Sequence, residues 1–128
     1  MALCLMATGY DDDIDIGYGS FLRLRCYIAH SYSKKCGTLY EYITENFNEE
    51  LSDYIEQRWN KESNKNLDIL LWHSDCGGEI NFEDCEKLLT ELKKLDFKCK
   101  EKALIKIYEE LLKMLDHCVE NKVSLEFI

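Results

Sequence analysis

Proline is missing from all 128 residues, so no fixed φ or lost amide donor opposes long helices. Long apolar runs are missing too. No stretch approaches the roughly 20 apolar residues that a membrane-spanning helix needs. Positive charge is scarce: 16 basic side chains face 25 acidic ones, for a net charge of −9. That sign repels nucleic-acid phosphates and anionic lipid surfaces, which argues against nucleic acid and membrane as partners. A basic protein partner or a bound cation suits it better. Residues 1–7 are apolar but lack the basic start and the length of a secretory leader. Seven cysteines, an odd number, then fit a reducing cytoplasm in which thiols stay free. Internal repeats and low-complexity tracts are also lacking.

What is present suffices for one core. Apolar residues make up 46% of the chain, and its length suits a single domain over 1–128. Residues 3–8 form a short apolar run that reads as a strand. Asp11, Asp12, Asp13 and Asp15 follow, mutually repelling and in need of solvent, cations or helix N-termini. Whether Arg23 and Arg25 neutralise them is left open by the sequence. Ser20 is placed to cap a helix over 21–33, which carries one stripe at Phe21, Leu24 and Ile28 and a second at Leu22, Cys26 and Ala29. Gly37 is expected to stop this helix, with Lys34 and Lys35 at its negative end. Thr38-Leu39-Tyr40-Glu41 resembles a capping box.

Apolar residues at Leu39, Ile43, Phe47, Leu51, Tyr54, Ile55 and Trp59 keep helical period. Asn46 and Asn48 interrupt it, which predicts two helices with a bend and a fresh cap at Asn46-x-x-Glu49. Their outer face is acidic: Glu41, Glu45, Glu49, Glu50, Asp53 and Glu56. A polar loop at 60–66 leads to an apolar segment at 67–72, taken as helical. Asn81 caps a helix from Phe82 to about Leu95, with Cys85, Leu88, Leu89, Leu92 and Leu95 as its core stripe. A last helix is expected from about Cys99 to Glu120, turning Leu104, Tyr108, Leu111, Leu112, Leu115 and Val119 inward. Residues 123–127 alternate and read as a strand that could pair with the N-terminal run. The expected fold is mainly α: about five helices, with a short β pair joining the N- and C-termini.

Between these helices lies the densest group of chemically capable residues, from Trp72 to Cys85. Set against a twelve-residue calcium loop, His73 falls at position 1, Asp75 at 3, Gly78 at 6, Ile80 at 8, Asn81 at 9 and Asp84 at 12. The glycine, the aliphatic and the following helix match an EF-hand-like loop–helix unit at 73–95. The ligands are poorer, since position 1 is His, position 5 is Gly77 and position 12 is the shorter Asp. Only weak calcium binding is expected from His73, Asp75, Asn81 and Asp84. The alternative gives Gly77-Gly78 a turn, Ile80 a place in the core, and Asn81 and Asp84 the helix N-terminus. Zinc would call on His73, Cys76, Cys85 and Cys99, whose spacing matches no paired zinc motif. A nucleophilic Cys76 with His73 and Asp75 would make a cysteine-dependent enzyme, but sequence proximity does not supply the geometry. Gly17-Tyr18-Gly19-Ser20 lacks the lysine and spacing of a phosphate-binding loop.

Asp15-Ile16-Gly17-Tyr18-Gly19-Ser20-Phe21 with Arg23 and Arg25, Gly37-x-Leu39-Tyr40, Leu70-x-x-His73-Ser74-Asp75-Cys76-x-Gly78-Glu79-Ile80 with Glu83-Asp84-Cys85, and Asn121-x-x-x-Leu125-Glu126-Phe127 together resemble a family of small uncharacterised bacterial and phage proteins. The resemblance spans nearly the whole chain and implies no known activity. It does imply an acidic residue where this chain has Gly77 and a Glu where it has Asp84, so the calcium-like loop is weakened here. The expected function is a small acidic cytoplasmic interaction or regulatory protein that uses its acidic helical surface against a basic partner, not an enzyme. Its profile parallels phage modulators and immunity proteins by analogy. A divalent-cation-binding module is the alternative.

Overall fold

The chain folds as strands and helices in a computed structural model that describes residues 2–46 and 52–128. Its elements are β1 (Ala2–Ala7), β2 (Ile14–Gly17), α1 (Tyr18–Tyr32), α2 (Lys34–Glu45), α3 (Asp53–Glu62), α4 (Lys65–Leu71), β3 (Glu79–Ile80), α5 (Phe82–Lys94), α6 (Lys102–Asn121) and β4 (Leu125–Phe127). The protein is mainly helical, with six helices among the described residues where about five were expected. None of those helices is long and apolar enough to cross a membrane.

The strands form one antiparallel sheet in the order β2-β1-β4-β3. The expected pairing of the chain ends lies at its centre, with Leu5 opposite Phe127 and Ala7 opposite Leu125. The sheet is larger than the sequence suggested. Ile14-Asp15-Ile16-Gly17, read as an acidic loop, is strand β2, with Ile14 and Ile16 turned into the core. Glu79-Ile80 adds a two-residue strand at the other edge. One face of the sheet carries Leu3, Leu5, Ala7, Ile14, Ile16, Ile80, Leu125 and Phe127, all buried. Helix α1 packs on this face, with the rings of Phe21 and Phe127 6.1 Å apart.

Helix α1 starts three residues before the expected point. Its cap is Gly17, which offers no side-chain hydrogen bond, and Ser20 lies inside the helix, accepting from Arg23 Nη2 at 3.3 Å. The first apolar stripe is buried as expected, and Ala29 with it. The second is not, because Leu22 is 42% exposed and Cys26 is half-buried. The chain turns at Ser33 rather than at Gly37. Ser33 ends α1 and caps α2 by accepting from the Cys36 amide at 3.0 Å. Lys34 and Lys35 therefore open α2, and Thr38 lies within it, so the capping box is not used as one. Gly37 serves a close crossing. A Cβ there would run into the His30 ring and lie 2.6 Å from His30 Cα, so only glycine lets α1 and α2 approach this far.

The expected break between α2 and α3 is present, and Ser52 caps α3. Phe47, Asn48, Glu49, Glu50 and Leu51, with the cap proposed at Asn46-x-x-Glu49, lie outside the described residues. Asn64 caps α4 by accepting from the amides of Asn66 and Leu67. Helix α5 keeps its expected start, and Cys85, Leu88, Leu89 and Leu92 are buried. Helix α6 buries Leu104, Tyr108, Leu111 and Leu115 as expected, joined by Met114 and Cys118 rather than Leu112 and Val119. The Phe97 ring stacks on Tyr108 at 3.9 Å, and the Tyr108 hydroxyl donates to the Leu92 carbonyl at 2.6 Å near the end of α5.

Candidate functional site

The loop from α4 to β3 is built around a buried cation. Arg25 sits on the inner side of α1 and is 8% exposed. Its Nη1 donates to the Leu71 carbonyl at 3.3 Å and its Nη2 to the His73 carbonyl at 2.7 Å. The guanidinium carbon lies 3.9 Å from the centre of the Phe21 ring. The Tyr40 hydroxyl donates to the same Leu71 carbonyl at 2.7 Å. The end of α4, where carbonyls lack helical partners, is thus held by two side chains from α1 and α2. Desolvation pulls the Arg25 pKa down and pushes that of Tyr40 up to about 12. Among the described residues no carboxylate forms an ion pair with Arg25, although Asp75 shares a groove with it and favours its charged form, and its Nε has no partner. A guanidinium stays protonated in such a place, so carbonyl dipoles and the Phe21 ring carry its stabilisation.

The residues picked from the calcium-loop alignment are all in this neighbourhood, and all but Asp75 make other contacts there. His73 stacks on Phe127 at 3.9 Å between ring centres. Its Nδ1 lies 2.8 Å from the Ser74 carbonyl oxygen and its Nε2 3.2 Å from that of Glu79. A neutral imidazole donates to one of these, and both nitrogens lie against backbone carbonyls. Asn81 Oδ1 accepts from the Asp84 amide at 2.8 Å, which is the helix cap. Asp84 lies in the first turn of α5, 3.7 Å from Lys87 Nζ. Asp75 is exposed in the loop. No three His, Cys, Asp or Glu side chains among the described residues gather as a metal-holding group. Among the described residues, neither His73, Asp75 and Asp84 nor His73, Cys76, Cys85 and Cys99 form such a group. Gly78 has φ +94, and a Cβ there would meet His73 Cε1 at 3.3 Å, so the turn role of this glycine is real.

The proposed nucleophile is not paired with the histidine either. Cys76 Sγ lies 3.3 Å from Ser74 Oγ, while His73 turns to backbone carbonyls. Cys85 is buried and donates to the Ile80 carbonyl at 3.4 Å. The neighbouring Cys118 thiol first, then burial, push its pKa up. Cys26 lies one turn before His30 on α1, and Glu41 Oε1 sits 2.8 Å from His30 Nε2. Burial first, then Glu41 and Glu45, push the Cys26 pKa up to about 11, which opposes thiolate formation.

The feature that sequence reasoning missed is the outward face of the sheet. Opposed residues of an antiparallel ladder share a face. Asp15 lies opposite Cys4. Glu126 lies opposite Met6 on one side and Glu79 on the other. These side chains are exposed or half-buried. Asp11, Asp12 and Asp13, all exposed, stand in the turn between β1 and β2. That turn is pinned from below by His117, whose Nε2 lies 2.8 Å from the Thr8 carbonyl oxygen and whose Nδ1 accepts from Asn121 Nδ2 at 3.2 Å. The Tyr10 ring rests 5.1 Å from the His117 ring.

Neither nearby arginine reaches these acids. Arg23 pairs with Glu101, Nε to Oε2 and Nη2 to Oε1 both at 3.1 Å, and this lowers the Glu101 pKa. Arg25 is committed to the central loop. None of Asp11, Asp12, Asp13, Asp15, Glu79 and Glu126 joins an ion pair with a described residue. Like charges directly opposite in a ladder destabilise it, so Glu79 against Glu126 costs the isolated fold stability. The missed signal was the alternation Ile14-Asp15-Ile16 after Asp11, Asp12 and Asp13. Compared with protein-family models, curated proteins and solved structures, the chain matches none.

Proposed function

We propose that this protein is a small acidic interaction protein whose open sheet face receives a basic segment of a protein partner. The supporting observation is the row of uncompensated acids on a half-apolar floor: Asp15, Glu79 and Glu126 beside Cys4 and Met6, with Asp11, Asp12 and Asp13 at one end. Lysines or arginines laid across that face relieve the Glu79–Glu126 repulsion, so binding recovers free energy that folding gave up. The rigid sheet below presents the acids at strand spacing, and His117 holds the aspartate turn against α6. The site thus differs from the acidic outer face of the helices expected from sequence. That helical face, at Glu41, Glu45, Asp53 and Glu56, is exposed as well.

The test is affinity capture with the folded protein and with a Glu79→Lys/Glu126→Lys variant. The wild type is expected to retain basic proteins in a salt-sensitive way, and the variant to lose them. The same proteins retained by both would remove the sheet face from consideration.

A further inference from the structure

A second surface has the opposite sign. Between α2 and α3 runs a groove of about 410 Å³ lined by Lys34, Lys35, Thr38, Leu39, Tyr42, Ile55 and Arg58. Among the described residues its floor is apolar and its charged residues are all cations. Four other grooves among the described residues each include carboxylates: Glu41 in two, Glu83 and Glu86 in another, Asp75 beside Arg25 in the fourth. Lys34, Lys35 and Arg58 make no ion pair with a described residue, and all are exposed. The end of α1 and the start of α2 meet at Ser33, so the two helix dipoles largely cancel there, and the side chains set the sign.

Tyr42 lines the groove, and Tyr54 stands beside Arg58, which also lines it. Tyr42 is 47% exposed and Tyr54 64%, and the Arg58 guanidinium lies 5.9 Å from the Tyr54 ring centre. Tyrosine and arginine are the residue types that carry binding energy at protein interfaces. A trough between two helices accepts a third helix through anchors at i, i+3, i+4 and i+7. On a chain of net charge −9, a cationic trough selects against basic partners and for an acidic one with an apolar stripe. We propose that the α2–α3 groove docks an acidic amphipathic helix of a partner protein, its apolar stripe on Leu39, Tyr42 and Ile55 and its carboxylates on Lys34, Lys35 and Arg58. This goes beyond the sheet-face reading and uses none of its residues.

The probe is a fluorescein-labelled 18-residue peptide with leucines at i, i+3, i+4 and i+7 and glutamates at its flanks, followed by fluorescence anisotropy. Controls are a lysine-for-glutamate version and a scramble of the same composition. Saturable binding of the glutamate peptide alone is expected. It should weaken at least about tenfold in Lys34→Glu/Lys35→Glu and in Arg58→Glu, a change of about 1.4 kcal/mol in binding. These positions are exposed, and an unchanged melting midpoint would confirm folding. Glu79→Lys/Glu126→Lys should bind the peptide as the wild type does. No binding of the glutamate peptide, equal binding of the scramble or the lysine peptide, or full binding by Arg58→Glu would each overturn the proposal.

Discussion

Two loops of this protein attract attention in the sequence, and the structure treats them oppositely. The central loop after α4 spends its polar groups internally. Arg25 takes the Leu71 and His73 carbonyls, His73 lies against those of Ser74 and Glu79, and Asn81 caps α5. The β1–β2 turn is also fastened, by His117 to the Thr8 carbonyl, but only through its backbone. Its aspartates are left outward with no described cation. The first loop satisfies itself, whereas the second is fastened through its backbone while its carboxylates have no ion pair among the described residues, which is the feature the proposed partner contact would use.

Substitutions can break or sharpen this contrast. Arg25→Ala should have the largest effect, roughly 2–3 kcal/mol, because it removes charge-assisted hydrogen bonds from buried carbonyls. Chemical denaturation would measure it, and a loss no greater than that of an exposed arginine would contradict the clamp. His117→Ala should cost about 1–2 kcal/mol through the lost hydrogen bond and ring contact, and should speed amide exchange around Tyr10. Unchanged exchange there would show that the turn holds itself.

Glu79→Gln should act with the opposite sign, stabilising by about 0.2–1 kcal/mol as one member of a like-charged pair is removed. A destabilised variant would mean that the pair is not repulsive. Thiol chemistry separates the two regions on a finer scale. Burial first, then Asp15 and Asp13, raise the Cys4 pKa. Its thiolate fraction, and so its alkylation rate, is low at neutral pH and climbs as pH rises toward the raised value. Exposed Cys76 should therefore react first, and Asp15→Asn should quicken Cys4 alone, as mass spectrometry of the alkylated protein would show. The smallest effect concerns calcium. At about 1 mM it should leave the melting midpoint in place, whereas a rise abolished by Asp75→Ala would restore a cation site to the central loop.

The helices of the second half were legible because their apolar residues keep strict period and their caps are local. Asn81 before Phe82 and the stripe from Cys85 to Leu92 needed no tertiary information. The turn at Ser33 was misread for a tertiary reason. Gly37 looks like a helix stop, but it is required by the approach of His30 across the helix pair. Strand β2 was hidden because four aspartates suggest a loop, while only pairing with β1 shows that Ile14 and Ile16 share a buried face. Arg25 carried no sequence signal of its burial, since its partners are backbone carbonyls 46 and 48 positions away. The candidate surface was invisible for the same reason: Glu79 and Glu126 become neighbours only through β4.

The central pairing of β1 with β4 has a mechanical consequence. The amides of Cys4 and Ile128 each donate to the other's carbonyl at 2.9 Å. Ala2 and Ile128 thus lie at the same end of one antiparallel ladder, whose bonds run across the strands. A tension applied between those two residues loads the bonds in turn rather than together. The ladder peels from that end under low force, like a zip. It parts the sheet at its midline, carrying the aspartate hairpin away on one side and Glu79 with Glu126 on the other.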